Sequence, residues 1–465
     1  MMYYKHYQLY KNKGRKLITS FIFLLLCIPA FVFTQTDTRY DAGKNLPFNE
    51  KAGEVNPQTG NITLSVTDLT LPGRAGMHFS FGRIWALNQS NVFSMYRNRQ
   101  GVNGLSSHTI ERQNNMGVGW SSTLPYIYFD DTSGELVMTL FTGGAAYELD
   151  QGGLGIENLK KSNILGYDLL DLRIYENSET GYGEFTLYPF ADLASDYGVA
   201  DTEYDRSGYV LLLKDTSRYW FRPDGRIMMQ EDRTRLNKIW YFYNADEKLC
   251  LVVDTIGRKI GFSYDANGNL AKIQWQVTTG KKLPDGSLVY EEEAEPRSIE
   301  YLYESAETYG YVEQKQDEVI DYIEPFILTG VRDPEKNFTR YEYTEGLAAF
   351  TFDNSRSRFD NVYLMLTSIT GMYTEDGHYL NKRILFYDVP TDGMYERHFY
   401  NGYMEYYKIS RQYNLDRHGR IMNDTWYRYY DNGEGGNHNQ YTAIVETGNL
   451  TSTYTYSLHD ALNRY

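Results

Sequence analysis

Turn residues and aromatic pairs recur along this chain at a fixed interval, and a fixed interval restricts the fold more than any single motif does. The clearest stretch is 219–275, where Tyr219/Phe221, Tyr241/Tyr243 and Phe262/Tyr264 follow one another about 21–22 residues apart. Gly225, Gly257 and Gly268 supply turn positions, and Glu247-Lys248 stands where a further glycine would fall. Gly257 and Gly268 are 11 residues apart, so one unit holds two strands with a turn after each. Ile260, Phe262 and Tyr264 alternate with Gly261 and Ser263, the period of a strand. Asp265-Ala266-Asn267-Gly268 is a turn signature, because Asp bonds its own backbone ahead and Asn or Gly accepts positive φ. Further Asp-x-x-Gly turns are expected at Asp205–Gly208, Asp254–Gly257 and Asp416–Gly419. Turns this frequent, separated by strands of 5–8 residues, predict an antiparallel all-β array with little helix.

Composition agrees. There are 45 Tyr beside 22 Phe and 6 Trp, and 40 Gly beside 12 Pro, which excludes a coiled coil, a collagen or an all-α bundle. Cross-strand aromatic pairs stabilise hairpins by roughly 0.2–1 kcal/mol each, and Tyr covers a sheet while its hydroxyl finds water or a partner. A net charge of −15 disfavours nucleic acid, whose binding needs Lys and Arg to displace counterions. Cys27 and Cys250 are the only cysteines, so no disulfide framework or cysteine zinc site is available. Cys250, in Lys-Leu-Cys-Leu-Val-Val, reads as a small apolar residue of a buried strand.

Lys5, Lys11, Lys13, Arg15 and Lys16 precede an apolar run, Leu17 to Phe33, broken by Pro29. This is the layout of a secretory signal at 1–34, with Ala30 or Thr34 as cleavage positions. Retained, the same run would be a short membrane anchor and the only membrane contact. Either way the remainder is expected outside the cytosol, secreted or at the cell surface.

Tyr264-Asp265-Ala-Asn-Gly268-Asn269 and Tyr204-Asp205-Arg-Ser-Gly208, with the turn halves Asp254-Thr-Ile-Gly257-Arg258 and Asp416-Arg-His-Gly419-Arg420, resemble the repeats of the YD-repeat, or RHS, family. The text upstream is similar to the N-terminal region of such proteins: Val55-Asn56-Pro-Gln-Thr-Gly60-Asn-Ile62, then Thr67-Asp68-Leu69-Thr-Leu71-Pro72-Gly73-Arg74, then Gly117-Val-Gly119-Trp120. The resemblance implies a spiral β-sheet of the kind that encloses the variable C-terminal effector of secreted polymorphic toxins, or a wall-associated surface protein. The self-cleaving Asp-Pro-x-Gly-Leu-type motif of that family has no counterpart, since Asp333-Pro334 is followed by Glu335-Lys336-Asn337 and reads as a turn.

The expected organisation is a signal at 1–34, a β-rich N-terminal domain at 35–205 with Gly101–Gly104 and Gly152–Gly155 as loops, and repeat sheet over 206–465, its C-terminal end resembling a truncated repeat. Residues 280–325 read as a lengthened hairpin or insertion, with Glu291–Glu295 as a solvated loop. Residues 206–465 have room for at most about 12 units, an arc of about 115 Å at 4.8 Å per strand. A shell around a 150-residue cargo needs a circumference near 180 Å, so the sheet is expected to stay open.

No nucleotide-binding or metalloprotease motif occurs, the histidines are scattered, and no catalytic, cofactor or metal residue is nominated. Asp265-x-Asn267-x-Asn269 has alternating oxygens but lacks the Gly and Glu positions of a calcium loop, which favours a hairpin turn. Two functions remain: an exported, non-enzymatic scaffold resembling a toxin carrier, whose partner is a C-terminal payload outside this chain, or a surface adhesin that binds glycans through solvent-facing Tyr and Trp such as Trp220 or Trp240.

Overall fold

The computed structural model describes residues 55, 60–87, 90–98, 101–107, 116–130, 135–140, 145–149, 171–176, 207–213, 215–222, 225–282, 288–292, 295–315, 324–352, 358–373, 377–388, 402–404, 407–431 and 440–457. The signal at 1–34, Gly152–Gly155 and the family-like ending after Ser457 lie outside them. Among the described residues no helix is long and apolar enough to cross a membrane.

The chain is all-β. Strands β1 (Thr63–Leu71), β2 (Phe79–Ala86), β3 (Asn91–Asn98), β4 (Gly101–Ser107), β5 (Trp120–Ser122), β6 (Tyr126–Asp130), β7 (Glu135–Leu140), β8 (Ala145–Leu149) and β9 (Asp171–Glu176) come first. There follow β10 (Ser207–Leu212), β11 (Arg218–Phe221), β12 (Ile227–Glu231), β13 (Lys238–Tyr243), β14 (Leu249–Val253), β15 (Lys259–Tyr264), β16 (Leu270–Trp275), β17 (Thr278–Lys282), β18 (Leu288–Glu292) and β19 (Arg297–Ser305). After one short helix, α1 (Gly310–Lys315), come β20 (Phe326–Arg332), β21 (Phe338–Phe352), β22 (Arg358–Gly371), β23 (Asn381–Asp388), β24 (Gly402–Met404), β25 (Lys408–Asp416), β26 (Ile421–Asp431), β27 (Gln440–Thr447) and β28 (Leu450–Ser457).

One antiparallel sheet runs from β9 through β10–β16, then β19–β23, then β25–β28, each strand beside its predecessor. The long β22 shares its far edge between β23 and β3, and the end of β21 carries β24, so the sheet branches there. Among the described residues no pairing joins β28 back to β9, so the sheet is open, as the arc estimate requires. Insertions make the late strands longer than the expected 5–8 residues: β21 and β22 have 15 and 14. The hairpin β17–β18 is set aside as its own two-stranded sheet while β19 returns to pair with β16, as expected for an insertion.

Three local expectations are corrected. Gly101–Gly104 is not a loop but the start of β4, held by pairing with β3. Gly208 lies in β10 opposite Tyr175 rather than in a turn, and the acidic run from Glu291 begins inside β18. In each case strand pairing overrides a local preference for turn.

The repeated hairpins share a turn whose chemistry explains the Asp-x-x-Gly-[Arg/Asn] text. At Asp254, Asp265, Asp333 and Asp416 the first residue's N–H meets the carbonyl four residues on, and the fourth residue's N–H returns to the first carbonyl. That fourth residue needs positive φ: Gly257, Gly268 and Gly419 provide it, Lys336 adopts φ 68°, and Glu247, at the position marked for a missing glycine, adopts φ 59°. In the Asp265 turn, Oδ1 accepts the N–H groups of Asn267 and Asn269 at 2.9 and 2.8 Å, and Oδ2 accepts from Asn269 Nδ2. Arg258 and Arg420 donate in the same way to Asp254 and Asp416. The Asp265 carboxylate is thereby engaged by its own turn, the hairpin role favoured over the calcium loop.

A second regularity is not local. Six strand pairs each carry a bulge at the same point, where Phe221 faces Ile227, Tyr243 Leu249, Tyr264 Leu270, Tyr303 Leu328, Tyr343 Leu366 and Tyr387 Ile409. A bulge leaves ladder groups unpaired, and these are in the core: the six aliphatic residues are 0 % exposed. The next unit's tyrosine answers each. Tyr243 donates to the carbonyl of Ile227, Tyr264 to Leu249, Tyr303 to Leu270, Tyr343 to Leu328, Tyr387 to Leu366 and Tyr429 to Ile409, at 2.7–2.9 Å. The extra residue of the bulge caps the opposite strand: Thr329 donates to Leu302, Thr367 to Glu342, and the Cys250 thiol to Phe242. Cys250 is therefore a half-buried bulge residue acting in the place of a threonine.

Candidate functional site: a seam between two sheets

Strands β1, β2 and β5 form a small antiparallel sheet of their own. Its apolar side (Leu64, Leu69, Leu71, Phe79, Phe81, Trp85, Trp120) belongs to one core with Leu211, Phe221, Tyr241, Leu249, Ile260, Phe262, Ile273 and Tyr341 of the large sheet. Phe81 meets Phe262 edge-on at 5.4 Å and Phe79 meets Tyr241 at 6.3 Å.

Each N-terminal motif that the sequence singled out makes a specific contact across this seam. The Gly60 carbonyl accepts the N–H of Ile409 in β25, and Gly60, at φ +69°, lies where a Cβ would stand 2.6 Å from the buried Lys408 stem. At the other end, the Arg74 N–H donates to Thr255 Oγ1 at 2.7 Å and Arg258 donates to the Pro72 carbonyl at 2.9 Å, fastening Pro72-Gly73-Arg74 to the β14–β15 turn. Gly117 and Gly119 take positive φ, so that Val118 bonds the Phe326 carbonyl and Trp120 enters the core. Trp120 donates its indole N–H to Tyr343 Oη at 2.8 Å and meets Tyr341 edge-on at 5.1 Å.

The middle of the seam is a buried charge pair. Arg83 Nε lies 2.9 Å from Asp68 Oδ2, with side chains 2 % and 4 % exposed. Arg83 Nη1 donates to Tyr341 Oη at 2.7 Å, and Tyr301 donates its hydroxyl to Asp68 Oδ2 at 2.9 Å. The guanidinium lies 5.0 Å from the Trp120 ring centre and 5.1 Å from that of Tyr341. Burial opposes its charge, but Asp68 beside it outweighs that and holds it above its ordinary value. Burial pushes the Tyr301 and Tyr341 hydroxyls up, so both stay protonated, Tyr301 as the donor to Asp68 and Tyr341 as the acceptor from Arg83.

The sequence marked Asp68 inside a motif but neither Arg83 nor Tyr301. The available signal was a charged residue inside the otherwise apolar run Phe79-Ser-Phe-Gly-Arg-Ile-Trp85. Of the two glycan candidates, Trp220 is not solvent-facing: it is 2 % exposed and donates to Glu231 Oε2 at 3.0 Å. Trp240 is half-buried with Lys238 5.6 Å from its ring centre. Among the described residues no cluster of His, Cys, Asp and Glu could hold a metal ion. The arrangement fastens one sheet to another; it presents no nucleophile beside a base.

No protein-family model matches the chain, and no curated protein matches it in sequence. Among solved structures, the toxin-complex chain TcdB2-TccC3 without its hypervariable C-terminal region aligns over 84 % of this chain and 24 % of its own, at 10 % identity and TM-score 0.18. A chain of the TcdB2-TccC3-Cdc42 structure aligns over 84 % of this chain and 24 % of its own, at 11 % identity and TM-score 0.15. A porin-like protein from Bacteroides uniformis aligns over 54 % of this chain and 88 % of its own, at 11 % identity and TM-score 0.15. The chain thus spans about a quarter of the toxin-complex chains it matches, and these TM-scores lie below the level of a shared fold.

Proposed function

We propose that the chain is an exported, non-enzymatic scaffold of the RHS/YD-repeat type, a stretch of wall like that of a toxin carrier, whose partner is a polypeptide payload outside residues 1–465. The observation that carries this reading is the seam. A small N-terminal sheet touches the large sheet at β14–β15, β19, β21 and β25, so one element braces many successive hairpins. Such bracing suits a protein that acts by holding a shape, and the basic and apolar N-terminal segment supports export.

The test is to express the full chain with its own N-terminus in a Gram-negative host and fractionate the cells. Expected is accumulation outside the cytosol with mass lost at Ala30 or Thr34, and no turnover of peptide, ester or polysaccharide substrates by the purified protein. Retention in the cytosol at full mass, or measurable turnover, would refute the proposal.

A further inference from the structure

We propose that the β12–β13 and β14–β15 turns form a docking edge for an anionic lipid surface. Successive strands of the large sheet run antiparallel, so its turns fall alternately on two rims. The turns at 232–237, 254–258, 372–380, 417–420 and 448–449 share one rim, and those at 244–248 and 265–269 lie on the other. Among the described residues, exposed aliphatic side chains gather at the turns of the first rim. Leu236 is 84 % exposed and Ile256 50 %, and Leu380, Ile421, Met422 and Leu450 stand out in the same way. At the turns of the opposite rim the exposed large apolar residue is Tyr311, in α1. Surface leucines scattered singly are ordinary, but a rim that carries such residues turn after turn is a patch.

At Leu236 and Ile256 the apolar tips are set among cations. Arg233 and Arg235 are exposed on the first turn, Lys259 follows the second, and Arg74 is exposed on the loop bonded to Thr255. Among the described residues Arg74, Arg233 and Arg235 form no salt bridge. The carboxylates here are engaged by their own turns: Asp232 accepts from Thr234 and Asn237, and Asp254 from Ile256 and Arg258. With Arg258, five cations accompany two engaged carboxylates, in a chain whose net charge is −15. Next along the rim, Glu291 and Glu292 of the β17–β18 hairpin end the cationic stretch.

The two tips lie two strands apart, about 9.6 Å. Acyl chains accept apolar side chains at any such spacing, whereas a folded partner would need a fitted pocket for each. Each Lys or Arg near an anionic leaflet strengthens binding about fivefold, and only within a Debye length of it. This edge lies outside the buried seam and does not rest on the scaffold reading.

The experiment follows hydrogen exchange of the full chain with vesicles of phosphatidylcholine or of an equimolar phosphatidylcholine–phosphatidylglycerol mixture. Every variant keeps the apolar N-terminal run, so differences between variants read the rim alone. Expected is slowed exchange at 232–237 and 254–258 on the mixed vesicles only, with 244–248 and 265–269 unchanged. Arg233→Gln combined with Arg235→Asn, since Asn tolerates the φ of 61° at that position, should raise the lipid concentration for half-protection about 25-fold. Leu236→Gln should raise it about tenfold, and Tyr311→Gln, on the opposite rim, should leave it unchanged. Thermal unfolding of each variant shows that it is folded. No protection at these turns, equal protection by phosphatidylcholine alone, or protection indifferent to the Arg233/Arg235 and Leu236 variants would overturn the proposal. So would equal protection by polyglutamate, which would make the partner an acidic polypeptide. Concentration-dependent protection without lipid, lost in Leu236→Gln, would instead make this edge a contact between copies and overturn it as well.

Discussion

A tyrosine hydroxyl is a small group on which to hang a sheet, yet six of them occupy equivalent places and bond equivalent carbonyls. Each carbonyl belongs to a fully buried residue beside a bulge, where water cannot substitute, so losing the donor leaves an unsatisfied acceptor in the core. Tyr264→Phe and Tyr303→Phe are therefore expected to cost about 1–3 kcal/mol each in urea unfolding, with unchanged slope. Tyr454→Phe, on the exposed side of β28, should stay within about 0.5 kcal/mol. Equal, negligible effects at all three positions would mean that the hydroxyls are ornamental to the sheet. The turn aspartates differ in kind, because their partners lie within five residues and travel with them in the sequence. The Arg420 backbone N–H, helped by its side chain, brings the Asp416 carboxyl down to about 2.

At the scale of elements, the N-terminal sheet is tied down by apolar packing around a charge pair removed from water. Burying an ion pair contributes little net stability, but breaking one leaves a charge without compensation. Arg83→Met alone should cost about 3–5 kcal/mol, and the double change Asp68→Leu with Arg83→Met should cost less than either single change. Hydrogen exchange across β1, β2 and β5 reads this directly. A double variant worse than both singles would show that the pair, not the packing, holds the seam. Little of this could be read from sequence. The hairpin turns of 254–257, 265–268 and 416–419 were legible because an Asp, a residue tolerant of positive φ, and an Arg or Asn sit within five positions. The tyrosine bonds span 15 to 33 residues and the Arg83–Tyr341 bond spans 258, distances over which local spacing carries no information. The 21–22-residue interval held where turns are tight and disappeared where β17–β18, α1 and the long β21–β22 arm were inserted.

For the whole molecule, the abundance of buried tyrosine sets an upper pH limit. Burial raises Tyr219 and Tyr363 to about 12 and pushes Tyr241, Tyr264, Tyr301, Tyr303, Tyr343 and Tyr387 up as well. These groups are protonated in the fold but ionise near 10 when unfolded, so their contribution is complete below pH 10 and lost as pH rises through 12 and beyond. Thermal unfolding temperature should be flat with respect to these groups up to about pH 10 and fall steeply above it. Absorbance at 295 nm should register most phenolates only as the sheet melts, and early, non-cooperative titration would contradict the burial. The direction of the tyrosine bonds has a last consequence. Every hydroxyl reaches backwards, to a carbonyl belonging to the hairpin made before it, so each newly formed hairpin presents a raw acceptor that only its successor can quench. A polypeptide delivered amino end first would accordingly solidify like a growing crystal, each added layer finishing the one beneath.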